Sequence, residues 1–303
     1  MTGPEIILHH YDTSPFSEKV RLMLGIKGLT WRSVIQPVIM PKPDLVPLTG
    51  GYRRIPVMQI GADVYCDTQV ILAEIERRHP KPKVVTGADW AVNLWADRLW
   101  FQASVAVIFA EMGDRVPKEF IADREKLSGR PFDVSAMKAA APFMRAQWRA
   151  YVAWVEDGLE GDFLGGAKPS LADVAAWMNV WWLSAAAPTI ADDLMSGLPR
   201  VQAWRDRLRA IGHGERREMK PAEALQAATA TAPADEGVCD PGDPSGLKKG
   251  DPVVVQADDY GRDPVEGVLI HLGHDRVTLA RECGELDVVH VHFPRAGYVI
   301  ARR

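Results

Sequence analysis

The sequence predicts a chain of three unequal parts: an α/β domain, an all-α domain and a small all-β domain. Short β-type runs and helical patterns alternate near the start, and from Asp89 to Ile211 the apolar periodicity is helical. Near the C-terminus, short β-type runs return. All ten tryptophans lie between Trp31 and Trp204, so the last 99 residues are built differently. Length alone, at 303 residues, favours about two domains.

The first part reads as β-α-β, a loop, then β-β-α. Apolar residues at Phe16, Val20, Met23 and Leu24 recur at helical spacing. The predicted strands are 5–11, 31–36, 56–60 and 63–66, and the predicted helices are 15–28 and 68–80. Gly61-Ala62 closes the hairpin, so we place the first domain at residues 4–82 and the helical domain at 88–232.

Residues 220–244 are rich in Ala, Pro, Asp and Thr and predict a short helix that runs into a linker, 233–245. Five β-type runs follow, at 252–257, 267–272, 276–280, 288–293 and 298–301. Their spacing is typical of a small antiparallel barrel or sandwich, placed at 246–303. From Asp235 onward there are 8 basic and 13 acidic residues, so this segment carries the acidity of a chain whose net charge is −4.

Composition favours a soluble globular protein, with 47% hydrophobic and 25% charged residues. The small net charge gives no reason to expect nucleic acid or a membrane surface as partner. Cys66, Cys239 and Cys283 form no CxxC pair, and the first residues show no secretory signal, so we expect a reducing cytoplasm. Val174 to Ala191 is uncharged but contains Pro188, which favours a buried core helix over a membrane span.

Four segments in order carry a resemblance: Ser14–Leu24 (SPFSEKVRLML), Arg53–Met58 (RRIPVM), Tyr65–Pro80 (YCDTQVILAEIERRHP) and PSLADVAAW from Pro169. In them the chain resembles the cytosolic glutathione transferase family. The resemblance implies a thioredoxin-like first domain, a helical second domain and glutathione as co-substrate. The C-terminal segment has no counterpart in ordinary members and resembles an SH3-like or barrel-like accessory domain of a bacterial subgroup.

By this resemblance Ser14 is the expected catalytic residue, with Tyr11 and then Thr13 as alternatives. A thiol of pKa about 8.5 must ionise before it attacks an electrophile, and a hydroxyl that donates to the sulfur favours the thiolate. Ser14 stands where a strand turns into a helix, with Pro15 next, so a simple helix N-cap is the competing interpretation. Ser14 also aligns with a cysteine of the thiol-transferase branch. Because serine cannot form a mixed disulfide, conjugation is favoured over disulfide reduction.

The resemblance also implies a glutathione site. Ile55-Pro56 matches the family's cis-proline, beside which the cysteinyl backbone pairs as an added strand. Asp67 and Thr68 match the acidic-hydroxyl pair that receives the γ-glutamyl carboxylate at a helix start. Arg54, or Arg53 in its place, corresponds to the lysine near the glycyl carboxylate.

Other candidates have structural interpretations. Ser170 and Asp173 form a capping box, worth about 1 kcal/mol, that needs no catalytic role. A stripe of aromatic residues either lines an apolar pocket or packs in the core: Trp95, Trp100, Phe101 and Phe109.

Histidines cluster in the tail, at His271, His274, His290 and His292. With Cys283 nearby they raise the question of zinc. No recognised ligand spacing is present, so we expect no metal. His9 and His10 are expected to be strand residues rather than catalytic bases.

The sequence therefore favours a cytoplasmic, homodimeric glutathione transferase that attacks a small apolar electrophile. The alternative is a non-catalytic transferase-like binding or assembly protein that uses the acidic β segment for interaction, because fold does not settle activity.

Overall fold

A computed structural model of the chain describes residues 5–233, 237–283 and 286–303, and excludes the side chains of Cys283 and Leu286. The predicted start at residue 4 and part of the predicted linker lie outside these ranges. The strands are β1 Ile7–His10, β2 Thr30–Ile35, β3 Val57–Ile60, β4 Asp63–Cys66, β5 Glu215–Glu218, β6 Pro252–Ala257, β7 Val265–Leu272, β8 Arg276–Cys283, β9 Leu286–Pro294 and β10 Tyr298–Arg302. They form one sheet, in the order β10-β6-β7-β8-β9-β4-β3-β1-β2-β5.

The helices confirm the predicted helical middle of the chain. They are α1 Pro15–Ile26, α2 Val46–Thr49, α3 Thr68–Arg78, α4 Asp89–Trp95, α5 Phe101–Met112, α6 Lys118–Ser128, α7 Val134–Gly158, α8 Leu171–Ala186, α9 Pro188–Leu194, α10 Pro199–Ile211 and α11 Pro221–Thr229. A π-helical turn, Ala96–Trp100, joins α4 to α5. Helix α8 is the predicted buried core helix, because most of its side chains are covered. In the described ranges no helix has both the length and the apolarity to cross a bilayer.

The thioredoxin-like part has the predicted order. Strand β1 lies parallel to β2 and antiparallel to β3, which pairs with β4 as a hairpin. Helices α1 and α3 share one core with the helical domain, built around fully buried residues such as Leu24, Ile71, Trp100 and Trp177. The single-turn α2 lies in the predicted loop.

The predicted C-terminal β segment is present, but it continues the thioredoxin-like sheet. Strands β6 to β9 and β10 pair antiparallel with one another, and β9 then pairs in parallel with β4. Tail residues such as Leu279 and Val291 are buried in the same hydrophobic cluster as Val57 and Val64. The reason is geometric: β4 has an edge with unpaired backbone groups, and β9 satisfies them.

A buried polar contact marks this joint. His292 lies within hydrogen-bond distance of Asp63 (Nε2 to Oδ1, 2.9 Å) and of Thr278, and its ring stacks on Tyr65. The ring of His290 lies beside that of His292. Among the described residues no group of three His, Cys, Asp or Glu side chains is placed to hold a metal ion. The Cys283 side chain, considered as a ligand above, lies outside the description.

The edge of the sheet opposite β10 is formed by a strand that the sequence did not predict. Strand β5 (ERRE) pairs in parallel with β2, and all four of its side chains are exposed. It has no apolar alternation to reveal it, because a charged strand at a sheet edge needs no buried face.

Candidate functional site

The residues expected to bind glutathione converge where α3 begins. The Ile55–Pro56 peptide bond is cis, and Pro56, Asp67 and Thr68 line one small cavity with Arg54. The cavity encloses about 60 Å³. The resemblance therefore selected side chains that do lie together in space.

Asp67 is the N-cap of α3, and its backbone is strained. Its φ of 90° is the only positive φ of a non-glycine residue in the described ranges. Such a conformation costs on the order of 1–3 kcal/mol and persists only where its surroundings impose it. One carboxylate oxygen accepts from the Gln69 amide (2.9 Å) and the other from the Tyr298 hydroxyl (3.0 Å). Strain of this kind concentrates at functional sites.

Thr68 follows at the first position of α3, and its hydroxyl accepts from the ammonium of Lys19 (3.2 Å). Lys19 is fully buried and also donates to Asn93 and Asp97, the latter at 2.7 Å. Burial raises the pKa of Asp97, and Lys19 counteracts that effect. Asp97 lines the cavity beside Thr68, so the cavity has a carboxylate in its lining near the start of α3.

Arg54 meets the C-terminal β segment. Its guanidinium pairs with the Asp259 carboxylate at 2.5 Å and stacks on the ring of Tyr260 at 4.0 Å. Gly261, next in the chain, donates its amide to the Leu127 carbonyl (2.7 Å). Arg98, beside Asp97, pairs with Asp258 at 2.7 Å. The segment 258–261 therefore covers the cavity.

The three hydroxyl candidates, Ser14, Tyr11 and Thr13, have different surroundings. Ser14 is almost fully buried, and its Oγ accepts from the Ser17 amide (3.1 Å), which is the N-cap role. Tyr11 lines a second, larger cavity, and its hydroxyl interacts with the Ser14 side chain and the Arg124 guanidinium. Burial raises the pKa of Tyr11, so the phenol keeps its proton and can donate. Thr13 is exposed and lines neither cavity.

The larger cavity has a volume of about 690 Å³, within the range of roughly 300–1,000 Å³ typical of small-molecule sites. It shares Arg54, Ile55 and Tyr260 with the small cavity, so the two adjoin. Five aromatic residues of the helical domain form its apolar wall: Phe101, Phe109, Phe120, Phe132 and Trp182.

The aromatic stripe considered in the sequence divides between its two interpretations. Phe101 and Phe109 line the larger cavity, whereas Trp95 and Trp100 pack against each other outside it, their rings 5.1 Å apart.

The residues that the sequence analysis interpreted as structural lie at a helix cap and within a strand. Ser170 caps α8, and the Asp173 carboxylate accepts from the Ser170 amide (2.8 Å), which makes the box reciprocal. Asp173 also accepts from the indole of Trp204 (2.7 Å). His9 and His10 are buried in β1, as expected of strand residues.

Sequence reasoning missed several cavity residues, among them Asp97, Arg98, Asp259, Tyr260 and Tyr298. The last three come from the β segment and carry no local signal, because only the pairing of β9 with β4 brings the tail to the site. The first two lie in the π-helical turn, where the helical register changes.

Two family models match this chain. The model of the glutathione S-transferase N-terminal domain matches residues 8–83, and that of the glutathione S-transferase C-terminal domain matches residues 108–207. Together they span more than half of the chain, so it belongs to the glutathione S-transferase family. The fold agrees in both domains.

Individual relatives add detail. A GST-like protein from Pseudomonas syringae is 38% identical, with a TM-score of 0.77, and the match covers 99% of this chain and 100% of that one, so it includes the C-terminal strands. FtsZ-localized protein A of Caulobacter vibrioides is 29% identical over 178 residues, which are 57% of this chain and 74% of that protein. The Tau class glutathione S-transferase of mango, Mangifera indica, at 14% identity, 75% and 99% coverage and a TM-score of 0.53, shares the fold.

Proposed function

We propose that this protein is a glutathione transferase that joins the glutathione thiolate to a small electrophile with an apolar body. The observation that supports it best is that two cavities adjoin: one is bounded by cis-Pro56 and the start of α3, and the other is lined by Tyr11 and by aromatic side chains of the helical domain. The first suits a thiol peptide, and the second suits its reaction partner. With both ligands bound in this way, a sulfur nucleophile and an electrophile would lie side by side.

In this proposal the γ-glutamyl carboxylate binds at Thr68 and the start of α3, and its ammonium binds Asp97. The cysteinyl backbone pairs with Ile55 beside cis-Pro56, and Arg54 receives the glycyl carboxylate. Asp259 and Tyr260 form part of the lining of the small cavity, so we expect this loop to move as glutathione enters.

Within this proposal we rank Tyr11 ahead of Ser14 as the thiolate-stabilising group, the reverse of the order expected from the sequence. Tyr11 lines the larger cavity, whereas Ser14 lines neither cavity and caps α1. The bound thiol loses its proton to solvent, and the thiolate accepts from Tyr11. Its sulfur then forms a bond to the electrophilic carbon as the leaving group departs with its electron pair.

The test combines binding with thiolate absorbance. Glutathione is titrated calorimetrically into the full chain, and the thiolate band of the complex is followed against pH. We expect Tyr11→Phe to raise the pKa of the bound thiol by about one to two units, since a hydrogen bond to a charged group contributes about 1.5–3 kcal/mol. Ser14→Ala should raise that pKa less, and Thr13→Val serves as the control. Absence of glutathione binding at millimolar concentration would remove the transferase role.

A second candidate function has its own observation. Arg54, Asp67 and Thr68 each have a partner within the chain, and two of those partners belong to the β segment. A site closed in this way fits the binding or assembly role considered above. FtsZ-localized protein A is a relative whose name indicates localisation with FtsZ, so co-sedimentation with FtsZ polymers tests that role. Co-sedimentation without glutathione binding would favour it.

We further propose a cytoplasmic homodimer, as the family resemblance implies. Trp154 supports an interface, because it is 59% exposed while its ring packs against those of Trp95 and Tyr151. Sedimentation of the wild type and Trp154→Glu tests this directly.

A further inference from the structure

The larger cavity is strongly basic although the chain is acidic. Its lining includes seven arginines or lysines and four aspartates, an excess of three positive charges, whereas the whole chain has a net charge of −4. A cavity lined by one sign of charge attracts ligands of the opposite sign.

Most carboxylates in the lining already have a cationic partner. Asp258 pairs with Arg98, Asp259 with Arg54, and Asp97 with Lys19, which lies outside the lining. The positive excess therefore lies elsewhere in the cavity.

Part of that excess lies at the end near Tyr11, and Arg130 and Arg262 contribute the rest. Asp123 is the only acidic residue of the lining there, and it lies 3.6 Å from Arg53 and 3.7 Å from Arg124. Lys42 adds a third cation. A single carboxylate shared by two guanidinium groups leaves these three cations partly uncompensated. Asp263 lies 3.8 Å from Arg53 but is half exposed and outside the lining, so water screens it.

Lys42 is the least compensated of these cations. Its side chain is buried, and its ammonium donates to the carbonyls of Pro37 and Ile39. In the described part of the chain no carboxylate oxygen lies within 4 Å of its Nζ. Burial, with Arg124 and Arg53 as neighbours, lowers its pKa to about 8. A second carboxylate at this place would offset the repulsion between the cations and would favour the charged form of Lys42.

The cationic end adjoins an aromatic part of the lining, since the Arg124 guanidinium lies 4.6 Å from the centroid of the Phe120 ring. The rings of Phe101 and Trp182 stack with centroids 5.3 Å apart, and those of Phe109 and Phe120 stack at 5.6 Å. Aromatic side chains that line a cavity can bind a flat apolar group by offset or edge-to-face contacts. The cavity thus combines an aromatic lining with a cationic end.

We propose that this cavity binds an aromatic carboxylate, with the ring against Phe101, Phe109 and Trp182 and the carboxylate between Lys42 and Arg124. That this ligand is the electrophilic second substrate rests on the proposed function. The Tyr11 hydroxyl contacts Arg124, so the anionic end of the ligand anchors beside the thiolate-stabilising group. The second substrate is then an amphipathic acid rather than a purely apolar molecule.

The test compares two probes of nearly equal shape, 1-naphthaleneacetate and the neutral 1-naphthaleneacetamide. Each is titrated calorimetrically into the full chain, with and without glutathione. We expect the carboxylate to bind at least tenfold more tightly than the amide. Arg124→Gln should reduce that ratio severalfold. The control Arg209→Gln removes the same charge from an exposed position on α10 and should leave the ratio unchanged.

The ratio of the two affinities in the wild type is measured without any variant. It therefore tests the inference even where a substitution disturbs folding. A ratio near one, or a ratio that Arg124→Gln leaves unaltered in a folded protein, would overturn the inference. Failure of the proposed function is separate: a protein that prefers the carboxylate and does not bind glutathione has an anion site without transferase activity.

Discussion

The Asp259 carboxylate lies 2.5 Å from the Arg54 guanidinium, although 205 residues of sequence separate them. Arg54 is the residue expected to hold the glycyl carboxylate of glutathione. In the proposed binding mode an intramolecular carboxylate thus occupies the position of the ligand's carboxylate. The C-terminal strands contribute to the cavity, and in that mode glutathione would compete with them.

Asp259→Asn should strengthen glutathione binding. The variant keeps the shape of the loop and removes its charge, so Arg54 becomes available to the ligand. Breaking a charged hydrogen bond of about 1.5 kcal/mol corresponds to about tenfold in affinity. Calorimetry on the wild type and the variant measures the change. Equal affinities would mean that Asp259 does not compete for Arg54.

Gly261→Ala should open the same loop by a steric route. Gly261 has φ +56°, and a Cβ atom there would lie 2.8 Å from a methyl carbon of Leu127 and 2.9 Å from Nε of Arg54. Gly246→Ala is the control, because its φ of +66° imposes similar strain with no atom within 4 Å. We expect tighter glutathione binding in the first variant alone, measured as above. The same gain in both would indicate loosening of the whole β segment.

Leu279→Ala should loosen the thioredoxin-like part as well as the tail. Leu279 is fully buried in the cluster that contains Val57 and Val64, and truncation of a buried leucine costs about 2–5 kcal/mol. Hydrogen exchange should therefore accelerate at the amides of β4. Leu183→Ala, in the core of the helical domain, is the matched substitution. If only tail amides accelerate in Leu279→Ala, the β segment is an independent domain.

Binding of 1-naphthaleneacetate should weaken above pH 8. A bound carboxylate favours the ammonium form of Lys42, whose pKa is about 8 in the presence of Asp123, Arg53 and Arg124. Since Lys42 is charged at pH 7 and loses its proton as pH rises, affinity should fall by up to about tenfold between pH 7 and 9. Lys42→Met should bind more weakly at pH 7 and show a flatter profile. An unchanged profile in this variant assigns the pH dependence to another group.

Acid should destabilise the fold partly through His9. Burial lowers its pKa to about 4, from 6.5 in the unfolded chain, while Gln59 and Gln36 bond its ring. The unfolded chain therefore binds a proton first, so the stabilisation is complete above pH 6.5 and is lost as pH falls towards 4. His9 alone lowers the free energy of unfolding by about 2 kcal/mol between pH 7 and 5. Urea unfolding at both pH values should show a smaller loss in His9→Gln.

Local patterns predicted the elements well. Periodic apolar residues placed α1, the 61–62 turn placed the hairpin, and the resemblance placed cis-Pro56 and the Asp67 cap in one cavity. What local patterns could not predict was pairing between distant strands. Asp259 and Tyr298 reach the site because the C-terminal strands join the sheet at β4. The burial of Ser14, which ranks it below Tyr11 in the proposal, is likewise a property of packing.

The continuity of the sheet also has a consequence during synthesis. β4 ends at Cys66, and its partner strand begins at Leu286, so the ribosome must add about 220 residues before the edge can be covered. At about 5–20 residues per second this takes roughly 10 to 45 seconds. During that time the nascent chain presents an unpaired strand edge, the kind of surface that chaperones protect from aggregation.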